Sequence, residues 1–267
     1  MALTVAKAHA YGNDFLFVPE AEAPADPAEL ARALCARHTG LGADGLILYG
    51  VRPGGATMRL WNADGSPSEL SGNGLRCLAA LVAREQGLDA ADPARATLRV
   101  DTTAGLKTLD LLAIAGARYT FRAAMGAPTN LRQAVIDVNG EPVSVVLLGV
   151  GNPQCILLGP LPDEARFRAV GGALAVHPAF PEGTNVEFVH VEAADRVRIL
   201  IWERGVGPTT SSGTGSSASA VAAAAFGGAN RSVDVIAPGG TQRVEWREDG
   251  IYLTGDAEIL FTGHWHA

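Results

Sequence analysis

The sequence predicts an α/β protein (α+β in the segregated sense) built from two halves of related design. Short apolar or alternating segments typical of strands recur along the chain, with a few helix-forming segments between them. Ser-Gly-Asn-Gly at residues 71–74 has a near repeat, Ser-Gly-Thr-Gly at 212–215, and each copy is predicted to begin a helix. We place the change of unit near residues 115–118, which divides the chain into residues 1–116 and 117–254.

Eight segments are predicted as strands because they are short, apolar or alternating, and mostly bounded by Gly, Pro or Asp. They are residues 15–18, 46–49, 57–61, 96–100, 143–148, 186–190, 197–202 and 243–246. A first helix is predicted from Asp26, because Pro27 occupies the first helical position and Glu29 completes a capping pattern. Gly40 is expected to mark its end.

The two Ser-Gly-x-Gly segments predict two further helices. One extends from about Ser71 to Glu85 and is followed by Gly87, and the other extends from about Ser212 to Phe226. The second is small and apolar on all sides, which is typical of a helix that is buried all round. We therefore expect each half to wrap a sheet around a central helix, with Ser71 and Ser212 facing each other across a cleft between the halves.

Composition limits the classes of function. With 267 residues, 48% of them hydrophobic, the chain suits one large domain or two small ones. A net charge of -7 argues against nucleic acid or anionic membrane as a partner. No apolar run reaches the roughly 18 residues of a membrane span, and the N-terminal segment lacks the layout of a signal peptide. A soluble cytoplasmic protein is the expectation.

Two other patterns are judged not to carry function. Gly-Leu-Gly-Ala-Asp-Gly at 40–45 matches a dinucleotide-binding pattern, but a predicted helix precedes it and a strand follows, the reverse of the order required. A tight helix-to-strand turn is the favoured interpretation. The three cysteines are too few and scattered for a disulfide framework or a metal knuckle, and the six histidines lack metal-ligand spacing, so no metal site is predicted.

The doubled helix start is the strongest candidate for a binding site. A helix N-terminus presents free N–H groups and a partial positive charge, which suit a carboxylate or phosphate. One such start alone is better explained by an ordinary cap, but two of them, each after a polar turn, favour a ligand. Asn13, Asn152 and Asn185 lie in polar turns where they could equally be turn formers, and Glu203–Arg204 could be a surface pair.

With these residues identified, almost the whole chain resembles the diaminopimelate epimerase family. The resemblance implies two pseudo-symmetric domains with the active site between them, the final segment 255–267 returning to the first domain. It also implies inversion at an α-carbon without a cofactor. The matching motifs are residues 12–15, 37–45, 62–66, 72–74 with 76–77, 151–153, 180–186, 203–207, 213–215 and 254–258.

The resemblance also implies the substrate and the residues that hold it. The reaction would convert LL- to meso-diaminopimelate, a precursor of lysine and peptidoglycan, so the expected partner is a small zwitterionic amino acid. A homodimer is compatible with the family. The substrate-binding positions carried over are Asn13, Asn62, Gly72, Asn73, Asn152, Asn185, Glu203, Arg204, Gly213 and Thr214, with Gln154 as an auxiliary position.

The two acid/base positions depart from the family pattern. In the family a cysteine precedes each Gly-x-Gly, one acting as a thiolate base and the other as a thiol acid on the opposite face of the carbon. Here the two positions are Ser71 and Ser212. A serine hydroxyl is a far weaker acid than a thiol, so weak or altered activity is expected. Cys77 lies six residues beyond Ser71 and is a poor substitute.

Two further departures bear on the origin of the serines. Gln154 stands where the family usually has histidine, and Pro208 where it usually has glutamate. The serines fit either deliberate replacement of both cysteines or a natural Ser/Ser branch. Deliberate replacement would leave the other positions unchanged, so a natural branch is favoured.

Two alternatives to the epimerase remain open at this point. One is a non-catalytic protein that binds an amino acid on the same scaffold. The other is a related isomerase or dehydratase, as in the proline racemases, hydroxyproline dehydratases and phenazine-pathway isomerases.

Overall fold

A computed structural model describes residues 2–92 and 96–266, so residue 267 of the expected returning segment lies outside the described residues. The fold is mixed α/β, as predicted. It divides into two units, whose described residues are 2–92, 96–123 and 255–266 in unit 1, and 124–254 in unit 2.

Unit 1 contains two helices among strands that pair in a closed order. Its strands are β1 (Ala2–Ala10), β2 (Asn13–Pro19), β3 (Gly45–Arg52), β4 (Gly55–Asn62), β5 (Pro67–Ser68), β6 (Thr97–Thr102), β7 (Gly105–Ala115), most of β8 (Arg118–Gly126) and the end of β17 (Gly250–His266). Successive pairing joins β1, β2, β3, β4, β6, β7, β8 and β17, and β17 pairs again with β1. The helices are α1 (Pro27–Cys35) and α2 (Gly72–Glu85), and a 3-10 turn spans Glu20–Glu22.

Unit 2 repeats this plan with α3 (Glu164–Ala175) and α4 (Gly213–Phe226). Its strands are β9 (Thr129–Val138), β10 (Glu141–Gly149), β11 (Pro153–Leu158), β12 (Asn185–Ala193), β13 (Arg196–Glu203), β14 (Gly207–Thr209), β15 (Ser232–Ala237), β16 (Gly240–Arg247) and the beginning of β17. Pairing runs β9–β10–β11–β12–β13–β15–β16–β17.

The same order of elements occurs in both units. β1-β2-α1-β3-β4-β5-α2-β6-β7 corresponds to β10-β11-α3-β12-β13-β14-α4-β15-β16. Each unit has two parallel strand pairs, β2–β3 and β4–β6 in unit 1 and β11–β12 and β13–β15 in unit 2, and one helix lies between the strands of each pair in the sequence. Parallel strands need a crossover of this kind, so each of the four helices has the same topological role.

The central helices are α2 and α4, as predicted. Helix α2 packs against β1, β2, β3, β4 and β6, and α4 packs against β10, β11, β12, β13, β15 and β16. Most of α4 is buried because Ala and Ser side chains allow strands to approach closely, although its last turn at Phe226 is exposed. Ser71 and Ser212 thus each precede a central helix that packs against the strands of its own unit.

Two helix predictions need correction. Helix α1 ends at Cys35 rather than near Gly40, because backbone N–H groups of the following loop bond the carbonyl groups of its last turn, Leu41 N to Leu34 O among them. Helix α3 was not predicted. It carries an Asp163 cap, but Gly171 and Gly172 interrupt its helical pattern. Both glycines lie against Trp202, whose ring would stand 3.2–3.3 Å from a β-carbon at either position.

The glycine-rich segment 40–45 forms the predicted turn between α1 and β3. Gly42 has a φ of +72°, which favours glycine, and a β-carbon at Gly40 would lie 2.2 Å from Ala33 O. A helix precedes the segment and a strand follows it, so it lacks the context of a dinucleotide-binding loop. None of the helices in the described part of the chain is long and apolar enough to cross a membrane.

Candidate active site

Ser71 begins α2 by capping it. Its backbone is extended (φ -124°, ψ 123°), and its Oγ accepts a hydrogen bond from Gly74 N at 3.1 Å. Beside it, a β-carbon at Gly72 would meet no described atom within 4 Å, so the space next to the first helical residue is open. The N–H groups of Gly72 and Asn73 are therefore open to a group that approaches closely, whereas that of Gly74 is already bonded to Ser71.

A chain of side-chain hydrogen bonds extends from this helix start. Asn73 Nδ2 donates to Asn13 Oδ1 at 3.1 Å, and Asn13 Nδ2 donates to Asp44 Oδ2 at 2.7 Å. Two predicted binding residues, Asn13 and Asn73, are thus in direct contact although 60 residues separate them. We call Asn13, Ser71, Gly72, Asn73 and Arg76 the Ser71 group.

The Ser71 group rests on an ionic cluster that the sequence did not reveal. Arg37 contacts both Asp14 and Asp44, at 3.1 and 2.7 Å, and Lys7 contacts Asp14 at 2.9 Å. Burial raises the pKa of Asp14, but the hydrogen bonds and charges of Lys7 and Arg37 outweigh it, so the net pKa lies below the usual range. The Asp14 carboxylate is therefore ionised, and its ion pairs fix the beginning of β2, where Asn13 lies.

Arg76 is a second residue whose importance was missed. It is only 1% exposed, its Nη2 donates to Asn73 Oδ1, and its guanidinium lies 5.8 Å from the ring centroid of Tyr11. Burial lowers its pKa. The available signal was an arginine between Leu75 and Cys77, on the apolar side of a helix. The Arg76 side chain is therefore a buried cation in direct contact with Asn73.

Asn62 is the predicted residue least connected to the Ser71 group. It is exposed at the end of β4, where its Nδ2 donates to Ser66 Oγ at 2.9 Å. The turn that follows is tied by Asp64, which accepts from both Ser66 N and Ser66 Oγ. The backbone connects this turn to the ionic cluster, because Ala63 N donates to Asp44 O at 3.1 Å.

Ser212 begins α4 in the way that Ser71 begins α2. Its backbone is extended (φ -143°, ψ 128°), and its Oγ accepts from Gly215 N at 3.0 Å. The Oγ also lies 3.4 Å from Thr214 Oγ1, and either hydroxyl can donate in that contact. We call Ser212, Gly213, Thr214, Asn152, Gln154, Asn185 and Glu187 the Ser212 group.

The amide side chains of unit 2 gather around Gln154. Its amide lies 2.5 Å from Asn152 Oδ1 and 3.2 Å from Thr214 Oγ1. Asn185 is nearly buried and joins two loops, because its Nδ2 donates to Pro153 O at 3.1 Å and its Oδ1 accepts from Arg204 N at 3.0 Å. Four of the predicted positions are therefore brought together here.

Glu203 and Arg204 occupy the end of β13 and the residue after it. The Arg204 backbone is held by Asn185, and its Nη1 donates to Glu182 O at 2.9 Å, while the side chain is largely exposed. Pro208 lies in β14, where it is paired with Trp202. Proline has no ionisable group, so it cannot supply proton transfer at this position.

Glu187 is the main residue of unit 2 that the sequence did not reveal. It is fully buried, and its carboxyl oxygens lie 3.0 and 3.1 Å from one end of the Gln154 amide. A β-carbon at Gly215 would lie 2.5 Å from Glu187 Oε1 and 3.1 Å from Ser212 Oγ, so both groups border the same position. Burial, assisted by the charge of Glu203, raises the pKa of Glu187 well above its usual range.

Cys77 is confirmed as a poor substitute for a catalytic thiol. It is completely buried, and burial raises its pKa to about 12. A thiol with that pKa carries almost no thiolate at neutral pH. Within residues 2–92 and 96–266, no group of three or more His, Cys, Asp or Glu residues could hold a metal ion.

Chemically, each group offers a hydroxyl at a helix start, first-turn N–H groups and amide side chains. Such a set can bind a carboxylate and place a proton-transfer group beside the carbon next to it. The two groups differ in their surroundings, since the Ser71 group is backed by ions and the Ser212 group by a buried carboxyl.

Solved structures place the chain in a fold shared by epimerases, racemases and related isomerases. It is similar to a predicted epimerase from Pseudomonas aeruginosa, with 16% identity, a TM-score of 0.73 and coverage of 99% of both chains. It is also similar to a probable proline racemase from Agrobacterium radiobacter, with 17% identity, a TM-score of 0.71 and coverage of 99% and 92%. These identities show the fold, which agrees with the predicted class.

Sequence comparison then defines the family. The diaminopimelate epimerase model matches residues 5–130 and 146–260. A diaminopimelate epimerase of Desulforudis audaxviator is 42% identical over 97% of this chain and 98% of its own length, and one of Desulfitobacterium hafniense is 40% identical over 98% and 97%. The chain belongs to the diaminopimelate epimerase family, a family of isomerases.

Proposed function

We propose that the protein is a cofactor-independent epimerase that converts LL- to meso-diaminopimelate, with Ser71 and Ser212 at the two acid/base positions. The observation that carries the proposal is the doubled serine cap, each one placed beside a Gly-x-Gly helix start in units of the same design. Inversion requires one group to remove the α-proton and another to return a proton on the opposite face. Two matched helix starts supply one group each.

The remaining predicted residues would hold the substrate. First-turn N–H groups at Gly72, Asn73, Gly213 and Thr214 suit the α-carboxylate, whose developing negative charge they stabilise as the proton leaves. Asn13, Asn62, Asn152 and Asn185, with Glu203 and Arg204, would bind the amino and carboxyl groups of the distal end. Gln154 would orient Thr214 and Asn152, with which it is already in contact.

The reaction leaves the enzyme unchanged overall. The serine that acts as base does so as an alkoxide, formed by loss of its hydroxyl proton to water; it takes the α-proton and becomes a hydroxyl. The other serine donates its hydroxyl proton to the opposite face and becomes the alkoxide, and proton exchange with water restores the starting state. A serine is a weak acid and base, so the helix dipole and the N–H donor on each Oγ can compensate only in part. We expect turnover well below that of a cysteine pair.

The test is α-proton exchange in deuterated water, followed by mass spectrometry or NMR, with LL-, meso- and DD-diaminopimelate and a panel of other amino acids. Exchange and inversion of diaminopimelate support the proposal. Absence of exchange with every compound, in protein shown to be folded, contradicts it. Saturable binding of diaminopimelate without exchange would instead identify an amino-acid-binding protein.

Single variants refine the test. Ser71→Ala and Ser212→Ala should each lower the rate of inversion on the order of 10²–10⁴-fold. Each should still exchange the α-proton of the stereocentre that faces the remaining serine. Ser71→Cys combined with Ser212→Cys should raise the exchange rate above that of the Ser/Ser protein. Ser219→Ala is the matched control, because Ser219 lies in α4 and its Oγ has no hydrogen-bond partner among the described residues.

A further inference from the structure

A continuous line of polar contacts connects Ser212 to the buried Glu187. Ser212 Oγ lies 3.4 Å from Thr214 Oγ1, and Thr214 Oγ1 lies 3.2 Å from one end of the Gln154 amide. The other end of that amide lies 3.0 and 3.1 Å from the Glu187 carboxyl oxygens. The four side chains lie on three elements of unit 2, namely β11, β12 and the first turn of α4 with its cap.

The orientation of the Gln154 amide depends on whether Glu187 carries a proton. An ionised carboxylate only accepts hydrogen bonds, so the amide must turn its nitrogen towards Glu187 and its oxygen towards Thr214. A protonated carboxyl can donate to the amide oxygen, and the amide nitrogen then faces Asn152 Oδ1 and Thr214 Oγ1. The end of the Gln154 amide that faces Thr214 also lies 2.5 Å from Asn152 Oδ1 and 3.2 Å from Asn185 Nδ2. When the Gln154 oxygen occupies that end it accepts from Asn185, and Asn152 turns its own amide to present its nitrogen. The proton on Glu187 decides between the two arrangements.

The two arrangements reverse the direction of the hydrogen bonds. With Glu187 neutral, Gln154 donates to Thr214, Thr214 donates to Ser212, and the hydrogen of Ser212 is free to point out of the chain. With Glu187 ionised, Thr214 donates to Gln154, Ser212 donates to Thr214, and a lone pair of Ser212 points outward instead. Gly215 N donates to Ser212 Oγ in both cases. The first state suits a proton donor and the second a proton acceptor.

We propose that Glu187 is a positioning residue whose protonation state sets, through Gln154 and Thr214, whether Ser212 presents a hydrogen atom or a lone pair to its substrate. The inference deepens the proposed function, since it rests on Ser212 being an acid/base residue. Glu187 itself does not touch the substrate in this proposal.

The surroundings of Glu187 contain groups that favour its neutral form and groups that favour its ionised form. From β13, Glu203 disfavours the ionised form by its negative charge, and from β11 the Cys155 thiol stays neutral because burial raises its pKa. The N-terminal turn of α4, with Gly215 against the carboxyl, favours the ionised form through the helix dipole. Burial raises the pKa of Glu187, so the neutral form extends above the range usual for glutamate.

The test is an NMR titration that needs no activity. The reporters are the ¹³C resonance of the Glu187 carboxyl, the side-chain amide of Gln154 and the ¹³Cβ of Ser212, between roughly pH 5 and pH 10, a range wide enough for a strongly raised carboxyl pKa. All three should shift with one common midpoint in the natural protein. Glu187→Gln, which keeps the shape and stays neutral, should remove the shift at both Gln154 and Ser212.

Variants at Thr214 separate the chain from a direct electrostatic effect. Thr214→Val keeps the shape and removes the hydroxyl, so Gln154 should still titrate while most of the Ser212 shift is lost. Thr214→Ser should restore it, and Ser219→Ala should behave as the natural protein. A Ser212 shift of unchanged size in Thr214→Val overturns the proposal. So does a Gln154 amide that does not follow Glu187, or a Glu187 carboxyl that does not titrate in this range.

Exchange kinetics distinguish this inference from the proposed function. If diaminopimelate exchanges its α-proton, the rate assigned to Ser212 should depend on pH with the Glu187 midpoint, and Glu187→Gln should remove that dependence without changing KM more than about twofold. A dependence that persists in Glu187→Gln overturns the inference and leaves the proposed function intact. If no compound exchanges, the proposed function fails while the NMR titration still decides the inference.

Discussion

The two helix starts have the same backbone and different charges behind them. Ser71 and Ser212 both cap a central helix through a bond from the N–H three residues later. Behind Ser71 stand the buried Arg76 cation and the ions of Asp14, Lys7 and Arg37. Behind Ser212 stands the buried carboxyl of Glu187, whose pKa burial raises above the range usual for glutamate.

The difference shows that repetition of a fold does not repeat its electrostatics. A fixed cation favours negative charge near α2, whereas Glu187 can hold or release a proton near α4. The charge behind the start of α2 is therefore fixed, whereas the charge behind the start of α4 changes with the protonation of Glu187. The proposed inversion, which needs an acid and a base on two faces of one carbon, would gain from groups that differ in this way.

The largest expected effect on stability comes from adding one methyl group at Gly215 of α4. Gly215→Ala would place a β-carbon 2.5 Å from Glu187 Oε1, within a buried polar cluster that has little freedom to move. We expect it to lower the free energy of unfolding by about 2–3 kcal/mol. Urea denaturation followed by circular dichroism measures this change.

Gly74→Ala is the matched comparison in α2. Its β-carbon would meet the Ile47 side-chain methyl at 2.9 Å, which can rotate, and alanine improves helix propensity. The free energy of unfolding should change by less than about 1 kcal/mol. Equal losses in the two variants would contradict the contrast between the sites.

A second effect should have opposite pH dependence in the two units. The pKa of Asp14 is lowered, so its ion pairs stabilise the fold above the ordinary carboxyl pKa and are lost as the pH falls through its folded value. Asp14→Asn should therefore cost about 2 kcal/mol near neutral pH and less in acid. Urea denaturation at a series of pH values measures the difference.

Glu187 should behave in the reverse sense. Its folded pKa is raised, so the folded state binds more protons than the unfolded state, and stability falls as the pH rises from the unfolded to the folded pKa. Glu187→Gln should remove this fall, so its stability relative to the unsubstituted protein should increase with pH. A relative stability that is independent of pH would show that Glu187 ionises normally.

The smallest expected effect is a difference between two introduced thiols. Ser71→Cys places a thiol in the unit that holds the Arg76 cation, while Ser212→Cys places one beside Glu187. The thiol at 71 should have the lower pKa by about one unit, which gives roughly tenfold faster alkylation near neutral pH. Rates with iodoacetamide at several pH values measure both pKa values, and the natural cysteines provide a low background because all three are buried. The opposite order would reverse the assignment of charges to the two groups.

Local sequence signals predicted helix α1 but not α3, the helix at the corresponding place in unit 2. Helix α1 was found from Asp26, Pro27 and Glu29 in sequence. Helix α3 has an equivalent cap in Asp163, yet Gly171 and Gly172 weaken its pattern. The reason for those glycines is tertiary, because they make room for Trp202. Only the repeat of whole strand-helix units, which local propensity does not report, would have required a helix there.

The residues of the candidate site also divide into those that local sequence signals could predict and those that depend on tertiary structure. The serines, glycines and asparagines could be found because helix caps and turns have sequence signatures, and the structure joins Asn13 to Asn73 and Gln154 to Asn152. Arg76 and Glu187 could not be found so easily, because a charged residue in a sequence gives no measure of its burial. Burial depends on strands far away in the chain, and it is what alters the chemistry of both groups.

The pairing of the first and last strands has a consequence for how the protein is made. Ala2 pairs with His266, so unit 1 needs residues that precede unit 2 and residues that follow it, whereas every residue of unit 2 lies between 124 and 254. During synthesis, residues 2–123 must therefore wait until residues 255–266 have been made. The unit that carries Ser212 can be complete on the ribosome before the unit that carries Ser71.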